Sequence, residues 1–265
     1  MLSDKPLIWG SGIAVLAGAA ALYYFFYYLP NSAPPAATTP QVHLPPPVAS
    51  EPPIHHPVPP AAESNAAPKL PVLNDSDTPV HDSLTGMPGG AGIDKFLIPQ
   101  SLVRHIVATI DNLPRKKVAV ELRPVSPIAG APVIAGTADH MTLADSNFQR
   151  YGPFIEVVRT VDPKQLAAVY FHFYPLFQEA YEDLGYPSDY FNDRVIEVID
   201  NLLATPDVKG PIELVQPNVM YLYADPKLEA LSAGQKTLIR MGSDNAGIVK
   251  AKLRELRAVL ATRSH

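Results

Sequence analysis

The chain has no cysteine, and this absence excludes several kinds of chemistry. Disulfide bonds, thiolate zinc sites, a thiol nucleophile and a lipid-modified cysteine are all ruled out. The absence does not identify the compartment, because a protein facing an oxidising space can simply avoid free thiols. Any covalent or metal chemistry would have to use other side chains.

The chain also lacks an excess of basic residues. It carries 21 lysines and arginines against 26 aspartates and glutamates, which gives a net charge of −5. A nucleic-acid-binding surface needs clustered basic side chains to neutralise phosphates. We therefore expect no nucleic-acid partner.

The sequence motifs of common enzymes are missing as well. There is no HExxH, no GxSxG and no glycine-rich dinucleotide turn. The segment SAGQKT at 232–237 superficially resembles a phosphate-binding loop, but Gln235 separates the glycine from the lysine and the required earlier glycine is missing. We expect no cofactor and no metal, and we assign no catalytic residue.

One long uncharged stretch is present near the N-terminus, at residues 7–29. As a helix it is long enough to cross a hydrocarbon core of roughly 30 Å, and aromatic residues stand at both ends, as at membrane interfaces. A cleaved signal peptide is the alternative, but its apolar run would be only about 7–15 residues long. We predict an uncleaved transmembrane anchor. The charge bias around Lys5 weakly favours a cytoplasmic tail at 1–6 and the remaining chain outside.

Residues 30–71 are rich in proline, alanine, serine and threonine. Such segments are extended and partly polyproline II, so we predict a disordered spacer that reaches up to on the order of 100 Å. His43, His55 and His56 could form a loose metal site, but a flexible strand lacks the fixed geometry that a metal requires. A proline-rich ligand for a partner domain is the better, though generic, alternative.

Residues 72–265 carry mainly helical patterns. Asp162-Pro163 and Asp225-Pro226 are typical helix starts, and the second predicts one helix that continues to Gly242. Pro175 lies inside the pattern over 163–184, so a kink or break is expected there. Short strands are predicted over 117–123, 133–135, 141–143, 212–216 and 219–223. The predicted fold class is therefore mainly α, with a transmembrane helix, a linker and a compact helical domain containing a few short strands.

The most distinctive stretch is 170–203, where Gly185-Tyr186-Pro187 separates two apolar helical patterns. It predicts a helix-turn-helix hairpin whose second helix is capped by Ser188 or Asp189. Asn192 projects into the apolar arc of that helix. Because a buried amide needs hydrogen-bond partners, we expect a tyrosine hydroxyl of the first helix to supply one, from Tyr174 or Tyr181.

The opposite face of the second helix carries Asp193, Glu197 and Asp200. Such a face is usually solvated, with Arg194 as an ionic partner, although acid/base groups or a cation site are alternatives. The candidate polar cluster is Tyr174, Tyr181, Asn192, Asp193 and Arg194.

Several short motifs occur in a fixed order: NFQRY at 147–151, YPL at 174–176, LGYP at 184–187, YFNDR at 190–194, ADPKLEALSAGQK at 224–236 and RMG at 240–242. This ordered set resembles an uncharacterised bacterial family of single-span envelope proteins with a C-terminal domain of unknown function. The resemblance implies a Gram-negative origin and a periplasmic domain, and it brings no catalytic residue or cofactor. Gln235, Lys236 and Arg240 match the pattern and form a candidate surface.

Two functions are consistent with these features. The first is a non-enzymatic envelope protein, anchored in the inner membrane, whose periplasmic module binds a protein or cell-wall partner. The alternative is a membrane-tethered hydrolase in which the fold brings together carboxylates such as Glu179 and Asp193. A cleft of a few hundred Å³ with convergent carboxylates would favour the hydrolase, and a groove without them would favour binding. The sequence leaves the oligomeric state open.

Overall fold

A computed structural model of the protein describes residues 53–58 and 70–261. The predicted transmembrane segment at 7–29 and most of the predicted spacer lie outside these residues. None of the helices within the described ranges is both long and apolar enough to cross a membrane.

The described part of the chain is mainly helical, as predicted. Its α-helices are α1 (Asp77–Gly86), α2 (Leu102–Asn112), α3 (Asp145–Gln149), α4 (Gly152–Thr160), α5 (Pro163–His172), α6 (Tyr174–Asp183), α7 (Phe191–Leu203), α8 (Pro226–Glu229), α9 (Ala233–Arg240) and α10 (Ser243–Leu260). Short 3-10 turns cover Leu73–Asp75, Gly90–Lys95 and Val120–Leu122.

The main core lies where α2, α5, α6, α7 and α10 meet. Each of these helices turns apolar residues inward at helical spacing, which removes their side chains from water. The buried set includes Leu102, Val103, Val107, Ala167, Phe177, Phe191, Val195, Ile199 and Leu260. The helix α7 thus stands at the centre of the core.

The predicted break at Pro175 is confirmed. Helix α5 ends at His172 and α6 begins at Tyr174, with Phe173 between them. Pro175 therefore stands in the first turn of α6, where a missing N–H group leaves no intrahelical hydrogen bond unmade. The break sets the direction of α6 and so positions the hairpin formed by α6 and α7.

A small antiparallel sheet packs beside the helices in the order β1 (Ile134–Thr137), β2 (His140–Leu143), β3 (Glu213–Val215) and β4 (Leu222–Tyr223). These are four of the predicted strands. Strand β1 requires glycine at position 136, because Gly136 has a φ of +92° and a side chain there would meet the carbonyl oxygen of His140. The sheet buries Leu143, Leu214 and Tyr223 against Ile239 of α9.

The predicted strand over 117–123 is wrong. The segment instead forms a 3-10 turn at Val120–Leu122, and the side chain of Val120 is 58% exposed. An alternating pattern stabilises a strand only when a neighbouring strand pairs with it, and the pairing in this region involves Leu97 and Val125 instead. The alternation in this segment therefore has no packing role.

The single helix predicted from Pro226 to Gly242 is also wrong, because the structure divides it into α8 and α9. Ser232 is the N-cap residue of α9. Its hydroxyl accepts from the N–H of Gln235, and the Gln235 side chain accepts from the N–H of Ser232. This reciprocal arrangement is a capping box, which starts a new helix. The sequence carries the signal for this start, a serine followed three residues later by a glutamine.

Candidate functional site

The N-terminal end of α7 borders a cleft of about 620 Å³. Its walls are formed by residues of helices α2, α6 and α7 and by residues 53–58. The lining residues are Pro53, His55, His56, Asp111, Tyr181, Tyr186, Asp189, Tyr190, Asp193, Arg194, Ile196, Glu197 and Asp200. The cleft therefore coincides with the hairpin that the sequence singles out.

Aromatic packing fixes the first turn of α7. Phe191 is fully buried, and its ring stacks on Phe177 of α6 with 6.0 Å between centroids. The rings of Tyr170 and Tyr181 also contact it. Offset and edge contacts of this kind hold rings in defined orientations, so the residues that follow Phe191 have fixed directions.

The cap of α7 differs from the prediction. The N-cap residue is Tyr190, whose side chain makes no capping bond, so the assignment of Ser188 or Asp189 is wrong. The Gln178 side chain of α6 accepts from the N–H of Phe191 at 2.9 Å and donates to the carbonyl of Asp189. A residue of the preceding helix therefore satisfies the helix start, which is invisible to local spacing.

Asn192 is fully buried directly after Phe191. Its Oδ1 accepts from the hydroxyl of Tyr170 at 3.2 Å, so the donating tyrosine is neither Tyr174 nor Tyr181. Burial raises the pKa of Tyr170 well above its usual range, which keeps the hydroxyl protonated and able to donate. The Asn192 Nδ2 donates to the main-chain carbonyl of His56 at 2.8 Å, so a buried amide directs its donor at residues 53–58.

The two predicted tyrosines lie around this arrangement rather than in it. The Tyr174 hydroxyl donates to Gln178, which links it to the start of α7. Tyr181 stacks on Tyr186 with 4.5 Å between ring centroids and lines the cleft. Desolvation raises the pKa of both Tyr174 and Tyr181 to about 12, so both remain neutral near pH 7.

Asp193 of α7 accepts two hydrogen bonds from the main chain of residues 53–58. Its Oδ2 accepts from the main-chain N–H of His55 at 3.0 Å, and its Oδ1 accepts from that of His56 at 2.6 Å. We call residues 53–58 the strap. The sequence predicts a free spacer throughout 30–71, whereas these six residues are held against the domain. The two histidines are bound through their main chain, so the loose metal site is not what positions them.

Arg194 and Asp111 form an ion pair beneath the cleft. Asp111 is 2% exposed; its carboxylate accepts from Arg194 Nε at 3.1 Å and from Arg115 at 2.6 Å. The Asp111 carbonyl also accepts from Arg194. Partial burial opposes the charged guanidinium, but the Glu197 and Asp111 carboxylates raise the pKa of Arg194 above its ordinary value. The sequence places Asp111 off the apolar face of its helix and gives no sign that α2 and α7 share it.

The remaining carboxylates of the α7 face are also paired. Glu197 accepts from Arg194 at 2.7 Å, as the predicted ionic partnership requires. Asp200 accepts from Arg257 of α10 at 2.8 Å, and this hydrogen bond lowers the pKa of Asp200 below its ordinary value. Within residues 53–58 and 70–261, no three acidic or histidine side chains are grouped to hold a metal ion.

The prediction that Gln235, Lys236 and Arg240 form a surface is wrong, because two of the three residues are buried. Gln235 closes the capping box of α9 and donates to the carbonyl of Asn201. Lys236 is 9% exposed and pairs with Glu229 at 2.7 Å. Arg240 alone is exposed, with its guanidinium over the ring of Tyr223. These residues hold α8, α9 and the sheet together.

Comparison with known proteins gives one match. A family model described as "Protein of unknown function (DUF3014)" matches residues 102–257. That range contains α7, the Asp111–Arg194 pair and the sheet. Neither the curated proteins nor the solved structures gave a match.

Proposed function

We propose a binding function for this chain, which belongs to the family of proteins of unknown function DUF3014. In this proposal the protein is anchored in a bacterial inner membrane, and its helical domain is a non-enzymatic interaction module in the periplasm. The module takes a protein or cell-wall partner at the cleft beside α7.

The anchor and the location rest on the sequence. The uncharged stretch at 7–29 has the length and the aromatic ends of a single membrane span. The proline-rich segment that follows is suited to holding a domain away from a bilayer. The order of motifs along the chain supports the same placement through the resemblance to single-span envelope proteins.

One observation supports binding in particular: the cleft already holds a segment of main chain, the strap. Asn192 donates to a carbonyl of the strap, and Asp193 accepts from two consecutive N–H groups. Main-chain hydrogen bonds are how many modules hold extended peptides, with side-chain pockets adding selectivity. An acceptor pair and a donor on one helical turn are the chemistry of a peptide-binding groove.

A hydrolase is the second candidate, and the cleft gives it one supporting observation. Its volume of about 620 Å³ and its carboxylates Asp189, Asp193, Glu197 and Asp200 meet the expectation stated for an enzyme. However, glycoside hydrolysis needs a carboxylic acid that stays protonated. The pKa of Asp200 is instead lowered, and Asp193 is occupied by two N–H groups. Glu179, the proposed partner of Asp193, is exposed on α6 and does not line the cleft.

Photocrosslinking in intact cells tests the proposed function. A photoreactive amino acid replaces Asp189, which is exposed and lines the cleft, in the full chain. We expect a discrete adduct larger than the chain itself, whose partner is identified by mass spectrometry. The matched control places the same amino acid at Asp207, an exposed aspartate outside this cleft.

Adducts that are identical from both positions, or none from position 189, would contradict a binding function at the cleft. Fusions after His265 provide the topological control. A reporter that works only outside the cytoplasm is expected to be active, and activity confined to a cytoplasmic reporter would contradict the topology.

A further inference from the structure

The strap contacts the domain through its main chain, and this decides what the groove recognises. Three hydrogen bonds join it to the first turn of α7: His55 N–H and His56 N–H donate to Asp193, and Asn192 donates to the His56 carbonyl. The side chains of Ile54 and His55 are exposed, and those of His56 and Val58 are half-buried. The polar contacts therefore select a backbone that bends at two consecutive residues, so that both N–H groups reach one carboxylate.

Prolines on both sides prepare the strap for this site. The local sequence is EPPIHHPVPP, so the two donating residues lie between Pro52-Pro53 and Pro57. Proline restricts φ and so reduces the number of conformations of the free segment, which lowers the conformational entropy lost on binding. A segment with this pattern is a better ligand for the groove than a flexible chain with the same donors.

The helical turn that receives the strap is anchored in the interior of the domain. Asn192 is fully buried and tied to Tyr170, and the neighbouring Phe191 is packed among aromatic rings. The ion pair with Asp111 holds Arg194, the residue that follows Asp193 in the helix. A preorganised donor and acceptor lose little freedom on binding, which is typical of a recognition site.

We propose that the α7 groove is a receptor for a proline-flanked peptide that presents two adjacent N–H groups at a bend, and that the strap is its intramolecular occupant. A second peptide of the same type enters only when the strap leaves. This inference rests on the proposed binding function and names the ligand class of that site. Because residue 58 is joined to the domain by a short connection, the strap competes at an effective concentration on the order of millimolar.

The test measures binding of a fluorescent peptide, EPPIHHPVPP, to the purified full chain. In the variant His55→Pro/His56→Pro both donating N–H groups are lost, so the strap is released while the groove is unchanged. We expect the peptide to bind this released variant, and to bind the wild-type chain at least about tenfold more weakly because the strap competes. Ser64→Pro/Asn65→Pro adds two prolines elsewhere in the same linker and is expected to behave as wild type.

Three further controls separate groove binding from adhesion. Adding Asp193→Ala to the released variant removes both acceptors and is expected to abolish binding, whereas Asp207→Ala removes an exposed carboxylate elsewhere and is expected to have no effect. The peptide EPPIPPPVPP, which lacks the two donors, should not bind.

The proposal is overturned if the peptide fails to bind the released variant at millimolar concentration, or if it binds the wild-type chain equally well. Its failure is distinguishable from failure of the proposed function. If the peptide binds as expected but no partner crosslinks at position 189, the proposed function is wrong and the proposed role of the strap is retained. If a partner crosslinks and the peptide does not bind, only the ligand class is wrong.

Discussion

Replacing Phe191 by alanine is expected to lower the free energy of unfolding by about 3–5 kcal/mol. The side chain is fully buried and contacts the rings of Phe177, Tyr181 and Tyr170, so the truncation removes a large apolar group and leaves a cavity between α6 and α7. Denaturant unfolding of the full chain, followed by circular dichroism, measures the change.

The matched control lies at the end of the same hairpin. Leu184 is 41% exposed, and its replacement by alanine is expected to change the free energy of unfolding by no more than about 0.5 kcal/mol. Equal losses for the two variants would show that α7 is not anchored through Phe191.

Replacing Arg194 by alanine is expected to cost about 3 kcal/mol of stability. The carboxylate of Asp111 is nearly inaccessible to water. Without Arg194, its partners among residues 53–58 and 70–261 are Arg115 and, in a long contact at 3.4 Å, the Tyr186 hydroxyl. A buried charge that loses a partner is costly because water cannot replace the missing hydrogen bonds. The same unfolding measurement applies.

Arg104→Ala provides the comparison, since Arg104 also pairs with an aspartate, Asp183, but at a solvent-exposed site. Exposed pairs contribute about 0–1 kcal/mol, so this variant should remain close to wild type. If Arg194→Ala were as mild as Arg104→Ala, the pair beneath the cleft would have no role in holding α7.

The elements that follow from local signals were predictable from the sequence. Asp162 accepts from the N–H groups of Lys164 and Gln165, and Asp225 accepts from that of Lys227, as the cap-plus-proline pattern predicts. The break beside Pro175 follows from the missing N–H group of proline. In each case the cause lies within a few residues of its effect.

The site could not be assembled in this way, because its contacts join distant parts of the chain. Arg194 and Asp111 are 83 residues apart, and Asp193 and His56 are 137 residues apart. The pattern placed Asn192 in the apolar arc but could not choose among the tyrosines, since selecting Tyr170 depends on how α5 turns at the break. The strand predicted over 117–123 failed for a related reason: alternation alone does not supply a pairing partner.

Asp193 holds the main chain of the strap. Amide hydrogen exchange measures this contact directly. In the full chain, the N–H groups of His55 and His56 should exchange at least about tenfold more slowly than in Asp193→Ala, because a hydrogen-bonded amide must open before it exchanges. Exchange of both amides at the same rate in the wild-type chain and in Asp193→Ala would contradict the claim.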